Sequence, residues 1–156
     1  HNHYLWNSEK LRKIIENIKY KQLYVVTNLT KKTQWTIEDF KKWKSEYNVK
    51  GACGTHYRDR DLIKEEEYDE SLRNINKMIE LLNSLNCIWV SNSVKEDFNF
   101  IRNFNKIIVS ISTFSWWAAA LSNAKEIYVS KNWKYKKKNN KNLPFIKSNN
   151  WFAVDL

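Results

Sequence analysis

Apolar residues recur along this chain in two alternating patterns, one with a helical period and one of short unbroken runs. The helical period predicts helices over residues 8–20, 36–47, 68–86, 94–104 and 112–123. The apolar runs predict strands over residues 23–27, 49–55, 87–91, 106–111 and 126–130. The pattern weakens beyond Pro144, although we expect Trp151, Phe152 and Val154 to be buried.

Strand and helix alternate throughout, and this order predicts an α/β fold. Strands separated by helical crossovers form a parallel sheet with helices on both faces and right-handed connections. No repeat or linker divides the sequence, so we expect a single Rossmann-like domain over residues 1–156. Sheets of this kind bind ligands beyond the carboxyl ends of their strands, where a functional site is therefore expected.

Length and composition are those of a globular chain. Its 156 residues suffice for one domain with a core, since 42% are hydrophobic and 15% aromatic. No apolar run approaches the roughly 20 residues that span a membrane, and the first residues lack a signal-peptide pattern. Cys53 and Cys87 lie in apolar strand-like runs, so we expect buried thiols, a reducing compartment and a cytoplasmic location.

The net charge of +10 predicts an anionic partner, such as a nucleic acid, a nucleoside diphosphate or a membrane surface. Five of the lysines lie between Lys134 and Lys141, in an Asn-rich segment typical of a solvated loop. Gly51 and Gly54 are the two glycines of the chain, too few for a P-loop or a Gly-rich dinucleotide fingerprint. Any nucleotide would therefore be held in another way.

The most informative segment is STFSWWAAAL at residues 112–121, directly after the predicted strand that ends at Ile111. Ser112 or Thr113 can cap the helix that begins there, and the backbone N–H groups of its first turn favour a phosphate. Trp116 and Trp117 face different sides of a helix. One of them is expected to pack on the sheet while the other lines a pocket.

A second segment, GTHYRDRDL at residues 54–62, also follows a predicted strand directly. It brings His56 together with Arg58 and Arg60, and it carries acids at Asp59 and Asp61. The planar fork of arginine suits a pair of diphosphate oxygens, and a neighbouring acid can hold that fork in place. Taken alone, such a segment is more often a surface loop of ion pairs.

Together the two segments resemble motifs of the α-1,2-fucosyltransferase family, among the GDP-fucose-dependent glycosyltransferases. Residues 112–119 are similar to the family motif S-T/S-F-S-W-W-A-A, and HYRDRD at residues 56–61 resembles its H-x-R-R-x-D signature. The order and separation of the two motifs also match. The resemblance covers residues 49–156, where Ser91 and Asn92 stand in the place of a Ser-Asp pair, and residues 1–48 form a lead-in.

The resemblance implies the donor-binding, Rossmann-like half of a GT-B glycosyltransferase. Such an enzyme transfers a sugar, here fucose, from a GDP-sugar to a hydroxyl of a glycan acceptor, with no metal and no cofactor. The implied catalytic residues are Arg58, which contacts the diphosphate, and His56 and Asp61, which shape the same site. The implied nucleotide-sugar contacts are Arg58, Arg60, Ser91, Asn92, Ser112, Thr113, Phe114, Ser115 and Trp116.

The sequence departs from the family pattern in two respects. Asp59 stands where the motif has its second arginine, and Arg60 follows one position later. A full GT-B enzyme also has an acceptor domain facing its donor domain, and residues 1–48 are too short to supply one. We therefore expect a second domain or subunit to provide the acceptor side.

Three alternatives stay open at this point. Asp59 and Asp61 form a D-x-D triplet, which in metal-dependent GT-A transferases holds a divalent cation and a UDP-sugar. The acid at Asp59 is also compatible with a domain that binds nucleotide sugars without turnover. Finally, lysines interleaved with Trp133, Tyr135 and Trp151 are typical of modules that bind single-stranded nucleic acid.

Overall fold

The computed structural model describes residues 7–29, 31–49, 68–110, 112–131 and 149–155. These ranges contain the helices α1 (Ser8–Glu16), α2 (Ile37–Val49), α3 (Tyr68–Ser84), α4 (Val94–Ile101) and α5 (Thr113–Ala120). They also contain the strands β1 (Tyr24–Val26), β2 (Ile88–Val90), β3 (Lys106–Val109), β4 (Glu126–Ser130) and β5 (Trp151–Val154). The predicted α/β class is confirmed.

Side chains that precede two of the helices fix where these helices begin. The Asn7 side chain accepts a hydrogen bond from the backbone N–H of Lys10 at the start of α1 (3.1 Å). Ahead of α2, the Thr36 hydroxyl accepts from the Asp39 backbone N–H (3.2 Å), and the Asp39 carboxylate accepts from the Thr36 backbone N–H (3.1 Å). This reciprocal capping box was predicted from the spacing of the two residues.

The five described strands form two parallel sheets. In the first, β1 pairs with β2, so that Val25 lies beside Trp89. In the second, β4 lies between β3 and β5, and Ile127 aligns with Ile107 on one side and Trp151 on the other. Because every described pairing is parallel, the carboxyl ends of the strands share an edge within each sheet.

Helices cover both faces of the strands, as predicted. The side chains of β3 alternate, so that Ile107 and Val109 pack with α5 while Ile108 packs with α1 and α3. The α5 core contains Ile107, Val109, Trp116, Ala119, Ala124, Ile127, Val129 and Trp151. The opposite core contains Leu11, Ile15, Met78, Leu81, Leu82 and Cys87, and a third core joins Trp35 and Phe40 to Ile75 and Ile79. Cys87 is buried as expected, and Cys53 lies outside the described residues.

Several predicted boundaries are wrong. Helix α2 continues through Val49, so this residue ends a helix and does not begin the strand predicted over 49–55. The rest of that segment lies outside the described residues. Helices α1 and α4 end at Glu16 and Ile101, earlier than predicted. Helix α3 ends before Asn86, whose φ of 52° is a left-handed conformation that commonly follows a helix.

The tail of the chain forms a strand that the sequence pattern did not indicate. Trp151 is buried in the α5 core, as expected, and Val154 is half-buried against the opposite core. Phe152 is 44% exposed, so its predicted burial is wrong. Since successive side chains of a strand point to opposite faces, Phe152 turns away from α5 and stacks on Tyr128 with its ring centroid 5.5 Å away.

In the part of the chain that the structure describes, no helix has the length and hydrophobicity required to cross a membrane.

Candidate functional site

Two turns follow the carboxyl ends of β2 and β3, where a site is expected. The β2–α4 turn contains Ser91 and Asn92, and the β3–α5 turn leads into the residues of the tryptophan motif. The two helices that leave these turns are in contact, because the rings of Phe98 in α4 and Phe114 in α5 meet edge to face at 5.5 Å. The contact places Phe114 between α4 and α5.

Ser115 holds the β3–α5 turn together. Its hydroxyl lies 2.8 Å from the Ser110 hydroxyl, 3.1 Å from the Ser110 carbonyl oxygen and 3.0 Å from the Ser112 carbonyl oxygen. The Ser112 backbone N–H also donates to the Ser110 carbonyl (2.7 Å). Ser115 therefore directs its hydroxyl back into the turn, although it was predicted to face a ligand, and that contact stays a prediction.

The first turn of α5 lacks the features that usually satisfy a helix start. Ser112 is the N-cap residue, as predicted, but its side chain makes no capping hydrogen bond. Among the five described helices, α5 alone has no acidic residue in its first turn. The first backbone N–H groups of a helix carry partial positive charge and have no intrahelical acceptor. This helix start is therefore electrostatically suited to an anion, and exposed Thr113 lies on it.

One of the two tryptophans packs on the sheet as expected, while the other faces solvent, and its place in the lining of a pocket stays a prediction. Trp116 is 8% exposed and packs on Trp151 with ring centroids 5.8 Å apart. Trp117 is 49% exposed and meets Trp116 edge to face at 4.9 Å. Trp116, predicted among the nucleotide-sugar contacts, thus anchors α5 to the sheet, and its contact with a ligand stays a prediction.

The β2–α4 turn is shaped by two carboxylates on the first turn of α4. Glu96 accepts hydrogen bonds from the backbone N–H (3.0 Å) and the hydroxyl (2.7 Å) of Ser93, and the Ser93 hydroxyl caps the helix in return. These hydrogen bonds hold the pKa of Glu96 below its usual value. One Asp97 oxygen, Oδ1, accepts from both the backbone N–H (3.1 Å) and Nδ2 (3.2 Å) of Asn92. Ser91 and Asn92 are exposed beside this negative charge.

The remaining predicted site residues, His56, Arg58, Arg60 and Asp61, lie outside the described residues, as do Asp59 and the lysine-rich segment 134–141. The structure therefore does not test the D-x-D alternative. Where the structure describes the chain, no three His, Cys, Asp or Glu residues are grouped as metal ligands would be.

The sequence reasoning did not identify two residues that shape the turns. Ser110 directly follows β3, and its hydroxyl and carbonyl oxygen both contact the Ser115 hydroxyl. Asp97 holds Asn92 from five positions further along the chain. The Ser93–Glu96 capping box has a recognisable four-residue pattern. The Asn92–Asp97 contact has no such sequence pattern, because it depends on the conformation of the turn ahead of α4.

Comparison with known proteins gives one match. The family model described as glycosyl transferase family 11 matches residues 65–155, more than half of the chain. The matched region contains both turns and the whole tryptophan motif, and it begins after residues 56–61. Neither a search of curated proteins nor a search of solved structures found a match.

Proposed function

The chain belongs to glycosyl transferase family 11, and we propose that it transfers fucose from GDP-fucose to a hydroxyl of a glycan acceptor without a metal ion. Membership confirms the resemblance to the α-1,2-fucosyltransferases and makes the protein a glycosyltransferase acting on a nucleotide sugar and a glycan. Fucose, guanine and the absence of a metal are the proposed part, and they follow from the family motifs.

The start of α5 is the observation that carries this proposal. It belongs to the family-matched region, lies at the carboxyl end of β3 and begins with an N-cap that makes no side-chain capping bond. It also has no acid in its first turn. A diphosphate needs donors and positive potential, which an uncapped, acid-free helix start supplies.

The chemistry of the transfer explains why this potential matters. The bond between C1 of the sugar and the β-phosphate oxygen breaks, and its electron pair remains on the phosphate. A bond forms between C1 and the acceptor oxygen, whose proton passes to a base. Negative charge thus grows on the leaving diphosphate, where fixed donors lower the barrier. We assign the phosphate contacts to Arg58, assisted by Arg60 and the first turn of α5.

The other proposed contacts surround this diphosphate position. Ser91 and Asn92 approach the nucleotide from the β2–α4 turn, while His56 and Asp61 shape the reacting centre. We propose that this chain provides the donor half of a GT-B arrangement. The acceptor side then comes from a second domain or subunit.

Calorimetric titration with GDP, GDP-fucose, UDP and ADP tests the proposal directly. We expect GDP and GDP-fucose to bind more tightly than UDP or ADP, and Arg58→Ala to weaken GDP at least about tenfold, because a charge-assisted contact is lost. Arg73→Ala, at an exposed arginine on α3, is the matched control and should bind GDP normally. GDP-fucose binding measured with and without EDTA should be equally tight.

Three results would count against the proposal. Equal affinity for all four nucleotides would remove the guanine assignment, and unchanged GDP affinity in Arg58→Ala would remove the diphosphate assignment. Strict dependence on manganese would favour the D-x-D reading of Asp59 and Asp61. No observation on the described residues favours the nucleic-acid alternative, and family membership supports a transferase instead.

A further inference from the structure

Asn92 is held in one orientation by a single carboxylate oxygen. Asp97 Oδ1 accepts the backbone N–H of Asn92 at 3.1 Å and its side-chain Nδ2 at 3.2 Å. Both bonds end on α4, whose start is fixed by the capping box between Ser93 and Glu96. The exposed Asn92 side chain is thereby fixed to helix α4.

This contact settles which end of the Asn92 amide faces Asp97. An ionised carboxylate accepts hydrogen bonds and cannot donate them, so it must meet the NH₂ group of the amide. A flipped amide would set Asn92 Oδ1 against Asp97 Oδ1, two acceptors with like partial charge. The Asn92 carbonyl oxygen therefore points away from Asp97 and presents an acceptor.

The two turns consequently offer opposite hydrogen-bonding character. The start of α5 has backbone donors and no acid, whereas the β2–α4 turn has Glu96, Asp97 and the Asn92 carbonyl. The backbone N–H groups of Asn92 and Ser93 are both used by these carboxylates. A phosphate is disfavoured at such a turn, while a group that carries hydrogen-bond donors is favoured.

We propose that Asp97 is a positioning residue, which orients Asn92 so that the Asn92 carbonyl accepts a hydrogen bond from the nucleoside part of the donor. The inference rests on the proposed function, since it takes the phosphates to lie at the start of α5. Ribose hydroxyls and the N–H groups of guanine are the donors that a nucleoside offers to such an oxygen. The nucleotide then lies with its diphosphate towards α5 and its nucleoside towards α4.

A double-mutant cycle on Asn92 and Asp97 tests this role with GDP as the probe. Asn92→Ala and Asp97→Ala should each weaken GDP binding about tenfold. The double variant should be no weaker than Asn92→Ala alone, because Asp97 acts through Asn92. Asp97→Asn keeps an acceptor towards Asn92 and should recover most of the affinity.

Two further measurements distinguish positioning from general damage to the turn. Glu96→Gln alters the capping box without touching the Asn92 side chain, so it should lower thermal stability and weaken GDP binding far less than Asp97→Ala does. Inorganic pyrophosphate, which has no nucleoside, should bind Asn92→Ala and Asp97→Ala as it binds the wild type. Circular dichroism of each variant checks that it is folded.

The outcomes separate this inference from the function on which it rests. If wild-type protein does not bind GDP, the proposed function fails and the inference fails with it. If the wild type binds GDP but Asp97→Ala does so equally well, the inference alone is overturned. Additive losses in the double variant, or an equal loss of pyrophosphate binding, would also overturn it, because they indicate a purely structural role.

Discussion

Replacing Ser115 by alanine should destabilise the protein more than replacing Ser112, although Ser112 is the N-cap of α5. The Ser115 hydroxyl donates one hydrogen bond to a backbone carbonyl and shares a second with the Ser110 hydroxyl. Each partly buried hydrogen bond contributes about 0.5–1.5 kcal/mol, so losing both lowers the free energy of unfolding by about 1–3 kcal/mol. For a chain of this size, each 1 kcal/mol lowers the Tm by roughly 3 °C.

Ser112→Ala is the matched control on the same turn. An N-cap serine usually contributes about 1 kcal/mol through its side-chain capping bond. The Ser112 side chain makes no such bond, so its removal should change the free energy of unfolding by less than about 0.5 kcal/mol.

Guanidinium unfolding followed by tryptophan fluorescence measures both variants against the wild type. The denaturation midpoint should fall clearly for Ser115→Ala and barely for Ser112→Ala, with the slope of the transition unchanged. A loss for Ser112→Ala as large as that for Ser115→Ala would refute the reasoning. It would mean that the Ser112 hydroxyl caps α5 in solution, contrary to the absence of a side-chain capping bond.

Two further predictions concern stability and pH. Trp116→Ala should lower the free energy of unfolding by about 3–5 kcal/mol because the Trp116 ring is buried. Trp117→Ala, at the exposed ring, should lower it by less than about 1 kcal/mol. Denaturant unfolding measures both variants, and similar losses would contradict the assigned orientation of α5. Burial, with the hydrogen bond to Glu126, raises the pKa of Tyr128 from 10.0 to about 12. The stabilisation from the neutral phenol is complete below pH 10 and declines as pH rises towards the folded pKa, so unfolding midpoints should fall over that range. Tyr128→Phe should remove this part of the pH dependence. Glu126→Gln should lower the pKa of Tyr128, as an absorbance titration can measure. Ionisation of Tyr128 near pH 10 in the folded wild type would contradict the raised pKa.

Much of the fold could be predicted because its elements carry their own local signals. The apolar period of α3 and the capping pair ahead of α2 identify helices without reference to the rest of the chain. Strand β5 could not be predicted in this way. Its four residues include Trp151, buried against α5, and Phe152, exposed beside Tyr128, and their partner strand decides which face each occupies.

The start of α5 was predictable in position, whereas the direction of each of its side chains was not. Ser112 was correctly predicted at the start of a helix at the carboxyl end of β3. Which residues of the motif turn inwards depends on the rotation of α5 about its axis, and packing on the sheet sets that rotation. Trp116 therefore enters the core and Ser115 bonds within the turn, neither of which residue type alone could decide.

Helix α1 and strand β5 lie far apart in the sequence but share one core and one ion pair. Lys10 Nζ lies 2.8 Å from Asp155 Oδ1, a contact between residues 145 positions apart. Val154 packs into the same core as Leu11 and Ile15. Losing either element would expose one shared apolar surface, so local opening of α1 and of β5 is coupled. Contacts of such long separation close a very large loop, and the entropic cost of this closure slows folding.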